Sequence, residues 1–220
     1  MTDLPLRIPP PFEVLAFDGP LLAVSKPAGL LTQGVPEGLP SLEHQVKKWL
    51  KESFDKPGRV YLGIPHRLDR PASGVVVFAR NSKAAARLAE QFRERQVEKT
   101  YWAEVVAAGD AGGREANLEY RTLGTCPGGP TLVEIRLQTG RMHQIRIQLG
   151  TRGWPIVGDQ QYGSTMEPLV GEGDAAGIAL HARHLSLLHP IRYDRMTLTA
   201  PLPKTWNVWQ VQSILDEFSS

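Results

Sequence analysis

Apolar positions along the chain recur with two spacings, alternation for strands and a period of about 3.6 for helices, and the switches between them outline an α+β domain. Residues 13–17 and 21–25 read as two strands of a hairpin, because Asp18, Gly19 and Pro20 between them suit a tight reversal. Ser41 is placed to cap a helix running to about Phe54, with Leu42, Val46, Trp49 and Leu50 on one face and the lysines outward. Residues 75–79, Val-Val-Val-Phe-Ala, are continuously apolar and predict a central strand buried on both faces. A helix from Ser82 with Ala85, Leu88, Ala89 and Phe92 as its stripe leads to a strand at 101–106, so the local order is strand, helix, strand.

Further along, residues 115–122 and 131–138 alternate like antiparallel strands across a glycine-containing turn at 126–130. Residues 143–149 predict a short helix stopped at Gly150 or Gly153, and 162–177 a loop. Strands at 182–188 and 196–200 follow, and a closing helix over about 205–218. Residues 1–11 are a Pro-rich tail and 12–220 one domain, on a mixed, largely antiparallel sheet with flanking helices.

Composition narrows the class. In 220 residues, 41% are hydrophobic and 22% charged, and 21 Gly with 18 Pro indicate turns, not a collagenous, coiled-coil or disordered chain. No apolar run approaches the roughly 20 residues of a membrane span, and no basic cluster with an apolar run opens the chain, so a soluble cytoplasmic protein is expected. The lone Cys126 admits neither an internal disulfide nor a cysteine zinc site. A net charge of +2 is far from that of an indiscriminate nucleic-acid coat, so any polyanion contact must be local. Lys47, Lys48 and Lys51, and Arg87, Arg93, Arg95 and Lys99, read as solvated helix faces unless they meet phosphates.

Three polar clusters stand out. His66-Arg67-Leu68-Asp69-Arg70 precedes the buried strand; flanking arginines favour an ionised Asp69, which is then either a nucleophile or base, or one side of a structural ion pair. In Thr139-Gly140-Arg141-Met142-His143-Gln144-Ile145-Arg146, Gly140 permits a sharp entry into a helix start whose Arg141, His143, Gln144 and Arg146 either contact RNA or a carboxylate or simply face solvent. Tyr101, beside Lys99 and Thr100, suits stacking on a base or a half-buried strand position. His181, His184 and His189 lack acidic or thiolate company, and strand geometry places the first two on opposite faces, which argues against a metal. Walker, dinucleotide-binding and nucleophile-elbow motifs are absent, so no nucleotide cofactor is expected.

In order, Lys26-Pro27-Ala28-Gly29-Leu30, HRLD at 66–69 with Ser73-Gly74, Lys99-Thr100-Tyr101, TGRMHQIR at 139–146, Pro155–Asp159 with Tyr162-Gly163, and Leu180-His181-Ala182 with His189-Pro190 resemble the RluA family of pseudouridine synthases, from about Phe12 to Pro201. The resemblance implies the pseudouridine synthase fold with a central active-site cleft. It also implies isomerisation of selected uridines in structured rRNA or tRNA without metal or organic cofactor: N1–C1′ breaks and the base rejoins through C5. It assigns Asp69 as catalytic aspartate, Tyr101 as the active-site tyrosine that stacks on the base and can serve as a base, and Arg146 as the partner of Asp69. Arg67 fills the gap left by a flipped nucleotide, and His66, Arg141, His143 and Gln144 contact substrate.

Departures from the family pattern are Pro71-Ala72 where Asp-Thr is common, Met142 in place of Thr or Ser, and a short 106–134 segment expected to lack part of a strand pair. The family's S4-like domain is expected to be absent, because Phe12 already opens the pattern, leaving one catalytic domain, expected to be monomeric, to recognise a stem-loop. Two other readings fit parts of the pattern: a catalytically inactive RNA-binding paralogue, and a glycosidase recruiting Glu98 or Asp159 as second carboxylate.

Overall fold

Alternation along two adjacent strands divides the first half of the molecule into layers. In the computed structural model, which describes residues 8–34, 40–106, 112–115, 117–126, 128–170 and 176–206, the chain opens with β1 (Glu13–Asp18), β2 (Leu21–Lys26), α1 (Leu42–Ser53), β3 (Ser73–Ala79) and α2 (Ser82–Arg93). Leu22 and Val24 of β2 and Val76 and Phe78 of β3 pack with Leu42, Val46, Trp49 and Leu50 of α1. Their neighbours Leu21, Ala23, Val75 and Val77 pack with Ala84 and Leu88 of α2. The two helices therefore cover opposite faces of one strand pair, and every residue of β3 is buried, as its unbroken apolar run predicts. Ser41 caps α1 by accepting from the His44 N–H, and Asn81 caps α2 by accepting from the Ala84 N–H.

The second half comprises β4 (Glu98–Val105), β5 (Gly112–Glu115), β6 (Leu118–Thr125), β7 (Thr131–Leu137), α3 (Gln144–Thr151), a 3-10 turn at Gln160–Tyr162, β8 (Leu169–Val170), β9 (Ala176–Gly177), β10 (Leu180–Leu188) and β11 (Arg195–Thr199). The main sheet runs β1-β2-β3-β10-β4-β7-β6-β5, with β11 also paired to β10. Strands β3 and β4 are thus separated by β10, which arrives from near the end of the chain. Among the described pairs only β3 and β10 are parallel, through His181 opposite Ser73 and Ala182 opposite Gly74. That junction needs Gly74: its φ is +119°, and a Cβ there would lie 2.3 Å from the Ala182 carbonyl oxygen.

The structure corrects several expectations. The strand expected at 115–122 begins only at Leu118, as β6; Glu115 belongs to β5 across a reversal, with Asn117 at φ 67°, a left-handed conformation that Asn tolerates. The short middle segment still builds the β5-β6-β7 meander. Helix α3 passes through Gly150, which is glycine because a Cβ would lie 2.7 Å from the Tyr162 carbonyl oxygen, and stops before Gly153 at φ +80°. The loop expected at 162–177 includes the small β8-β9 pair. Most of the expected closing helix and the first seven residues of the tail lie outside the described residues. Among the described residues no helix is long and apolar enough to cross a membrane.

Candidate active site

The loop carrying Asp69 is fixed through its backbone. Thr32 Oγ1 donates to the Leu68 carbonyl at 3.1 Å and accepts from the Leu68 N–H at 3.2 Å. The Gly29 N–H donates to the Arg70 carbonyl, the Ala72 N–H to the Asp69 carbonyl and the Ile178 N–H to the Pro71 carbonyl. Lys26, fully buried, donates from Nζ to the carbonyls of Pro27, Leu30 and Arg70 at 2.7–3.1 Å, tying the 26–30 turn to this loop. Burial pushes the Lys26 ammonium down to about 7, against the pull of the Asp69 charge. With so many bonds on five consecutive residues, the carboxylate of Asp69 projects from a rigid mount.

Asp69 opens onto a cavity of about 80 Å³. Tyr101 and Leu180 line it from the paired strands β4 and β10, and Ile145 and Arg146 from α3. Burial, followed by the Asp69 charge, raises the Tyr101 hydroxyl above its ordinary value, so it is a neutral phenol at neutral pH. Lys99, on the same face of β4 two residues earlier, donates to the Thr139 carbonyl at 3.4 Å and so links Tyr101's strand to the turn before α3.

Arg146 is the centre of the polar network. Its guanidinium grips Asp159 in a bidentate pair, Nε to Oδ2 at 2.7 Å and Nη2 to Oδ1 at 2.8 Å, and both side chains are buried. Nη2 also donates to Gln161 at 3.1 Å, the Tyr162 ring lies 4.8 Å from the guanidinium carbon, and Nη1 stands 3.7 Å from Asp69 Oδ2. Burial opposes the Arg146 charge, but the Asp159 hydrogen bonds and the charges of Asp159 and Asp69 outweigh it and raise its affinity for the proton. The partner of Arg146 expected from the sequence, Asp69, is thus the looser of two carboxylates, and Asp159 is the tight one.

His143 sits at the start of α3 with φ 54°. This conformation is uncommon for histidine, and it is held by a hydrogen bond of 2.8 Å between Nδ1 and the Tyr162 hydroxyl. Its Nε2 then stands 3.9 Å from Asp69 Oδ2. Gln144 accepts at Oε1 from the Thr139 hydroxyl and the Arg141 N–H, which folds the turn into the helix. Arg67 and Arg141 line the open rim.

The arginines beside Asp69 in sequence do not pair with it: Arg67 is exposed, and Arg70 donates from Nε to the Gly29 carbonyl. The charge facing Asp69 comes instead from Arg146, with His143 beside it, and from Lys26 below. His66 is not brought to the cavity. Its Nε2 accepts from the Val77 N–H at 3.0 Å and its ring stacks on Phe92, an arrangement that needs the neutral ring, and burial together with Lys99 lowers it to about 3. Lys26 and Tyr162, which the sequence placed only inside motifs, and Asp159, otherwise read only as a second carboxylate, turn out to carry the scaffolding of the site. Their signal was available in one respect: a lysine or aspartate in an otherwise apolar run must be buried with a partner. His181 bonds Ser73 and the Ala200 carbonyl, while His184 bonds Thr199, so the histidines of β10 have separate partners.

The fold is that of the pseudouridine synthases. It superposes on the human RNA pseudouridylate synthase domain containing 4 with a TM-score of 0.74 over 92% of this chain and 93% of that one, at 24% identity, a likeness of fold. Residues 20–151 match the family model for RNA pseudouridylate synthase, and the chain belongs to that family, in its RluA-type branch. It is 34% identical to the ribosomal large subunit pseudouridine synthase D of Xylella fastidiosa, over 88% of this chain and 67% of that protein. It is 31% identical to the tRNA pseudouridine synthase C of Haemophilus influenzae, over 94% and 97%.

Proposed function

We propose that Asp69 isomerises a uridine extruded from a stem-loop of ribosomal or transfer RNA into the cavity beside Tyr101. The observation that carries this reading is the mounting of one carboxylate, fixed by its backbone and faced by the Arg146 guanidinium, at the edge of a space lined by a tyrosine. The Asp69 carboxylate attacks C1′ or stabilises positive charge there, and N1–C1′ breaks with its electron pair passing to the uracil ring. The freed base turns within the cavity and C5 bonds to C1′, displacing the Asp69 oxygen where it has bonded there; the C5 proton passes to the released carboxylate or to water and N1 takes up one proton, so the product is an isomer of the uridine. Tyr101, as a neutral phenol, serves as a stacking surface and hydrogen-bond donor rather than as the base. Arg146 faces the Asp69 carboxylate and helps to hold it in place, His143 and Gln144 close the wall, and Arg67 and Arg141 at the rim meet the RNA, Arg67 filling the gap the uridine leaves.

Extrusion of a nucleotide takes a few kcal/mol and is easiest from a loop, hence the stem-loop. Relatives named for large-subunit ribosomal RNA and for tRNA support both RNA classes as substrates. A hydrolytic reading is disfavoured: both Asp159 oxygens are engaged by Arg146, and Glu98 lies exposed against Arg195 at 2.9 Å. The test is tritium release from bulk transfer and ribosomal RNA carrying 5-³H-uridine, taken from cells lacking this protein. Release without free uracil is expected; release of free uracil, or no release from either RNA, overturns the reading.

A further inference from the structure

Beside the catalytic cavity, along α3, lies a second groove of about 280 Å³, and two observations set it apart. Its lining includes two large apolar side chains left in solvent, Met142 at 70% and Ile147 at 42% exposure. It also shares Arg141 and Gln144 with the cavity, so the two spaces adjoin at the start of α3. Met142 is moreover the chain neighbour of His143, whose ring stands 3.9 Å from Asp69.

We propose that this groove binds the base of an unpaired nucleotide flanking the target uridine on the same RNA strand, an inference that rests on reading the Asp69 cavity as the uridine site. A thioether and a branched aliphatic chain offer a flat, polarisable, sequence-tolerant surface for a base face. Gln144, whose Oε1 is already engaged by Thr139 and Arg141, keeps its amide N–H donors for a base edge. The Asn117 amide lines the opposite side, and Arg141 at the shared rim suits the phosphate between the two nucleotides. Exposed apolar chains bordered by amides and one guanidinium match a nucleobase with its phosphate. Met142 stands where the resembled family has Thr or Ser, so the apolar floor is a property of this chain and makes Met142 a determinant of how tightly the flanking base is held.

The test uses a short stem-loop around the uridine mapped by tritium release, with each flanking nucleotide replaced in turn by an abasic one. Met142→Ser and Ile147→Asp, both at exposed positions, should raise KM about tenfold, the loss of one stacked base, while kcat stays within about twofold. One abasic substitution should raise KM of the wild type by a similar factor and add nothing further in Met142→Ser. Unchanged KM in both variants, or abasic penalties that simply multiply with the mutation, overturn the proposal. Filter binding of the RNA by Asp69→Asn, with and without Met142→Ser, reads the groove without turnover. A roughly tenfold weakening supports it and equal binding overturns it, whatever becomes of the catalytic reading.

Discussion

Helices α1 and α3 each lie close to the residues that define the site, yet they are held by different forces. The α1 region is held by area: Leu42, Val46, Trp49 and Leu50 are buried against alternate residues of β2 and β3, and Ser41 caps the start. In α3 Ile145 and Leu149 are buried, but the helix also turns the Arg146 guanidinium inward, begins at a left-handed His143 and comes so close to Tyr162 that residue 150 must be glycine. An apolar face tolerates small adjustments. A buried bidentate ion pair does not, because either partner alone is an uncompensated charge. A helix that carries the candidate site residues gains from the second arrangement, and the chain uses the first where it needs only support.

The sharpest break of this contrast is at Asp69 itself. Asp69→Asn should lower turnover about 10³-fold or more, since it removes the carboxylate that we propose acts at C1′. Because Asp69 is about a quarter exposed and its nearest ion-pair contacts are at 3.7 and 3.9 Å, the unfolding midpoint should move by no more than about 2 °C. Arg146→Ala should do both kinds of damage: denaturant unfolding should reveal a loss of about 3–5 kcal/mol as Asp159 is left buried without its partner, together with a fall in kcat. Asp159→Ala should match it in stability, which separates the scaffold carboxylate from the reacting one. In the other region Leu50→Ala should cost about 2–5 kcal/mol in the same unfolding experiment yet leave turnover per folded molecule unchanged.

A pH series sharpens the comparison at the junction of β3 and β10. His181 is fully buried on Ser73, and its affinity for a proton is lowered by burial, from 6.5 to about 4. The unfolded chain therefore takes up the proton first as pH falls. The contribution of the neutral ring is complete above about pH 6.5 and is lost between there and about pH 4, at up to about 1.4 kcal/mol per pH unit. Thermal unfolding across that window should show a shallower slope in His181→Gln than in the wild type, and parallel slopes would contradict the burial argument. The smallest expected effect is Ser41→Ala, about 1 kcal/mol in denaturant unfolding from loss of the α1 cap, with no change in KM.

What the sequence made legible follows the same division. The residues of α1, α2 and β3 were readable because burial on one or both faces imposes a period, and the motif around Thr139–Arg146 was readable because its residue types are unusual for a helix start. Local alternation could not reveal that β10 inserts between β3 and β4, a pairing of segments more than 100 residues apart in sequence that rests on Gly74 approaching Ala182. Nor did residues 115–122 announce their reversal, since Asn117 bends the backbone without a glycine. At the site, neighbours in sequence were misleading: Arg67 and Arg70 flank Asp69 but turn away, while Arg146 comes from α3 and gives its two best hydrogen bonds to Asp159. Position in a motif singled out the candidate groups, and only the fold assigned their partners.

The account is tested most directly by pseudouridine itself. Wild-type protein and Asp69→Asn, each first confirmed to bind the same unmodified RNA, would be incubated with it, and the nucleosides separated after digestion. Pseudouridine formed by the wild type and not by Asp69→Asn, with equal RNA bound, is the predicted result. Equal pseudouridine from both would remove Asp69 from the chemistry and contradict the account.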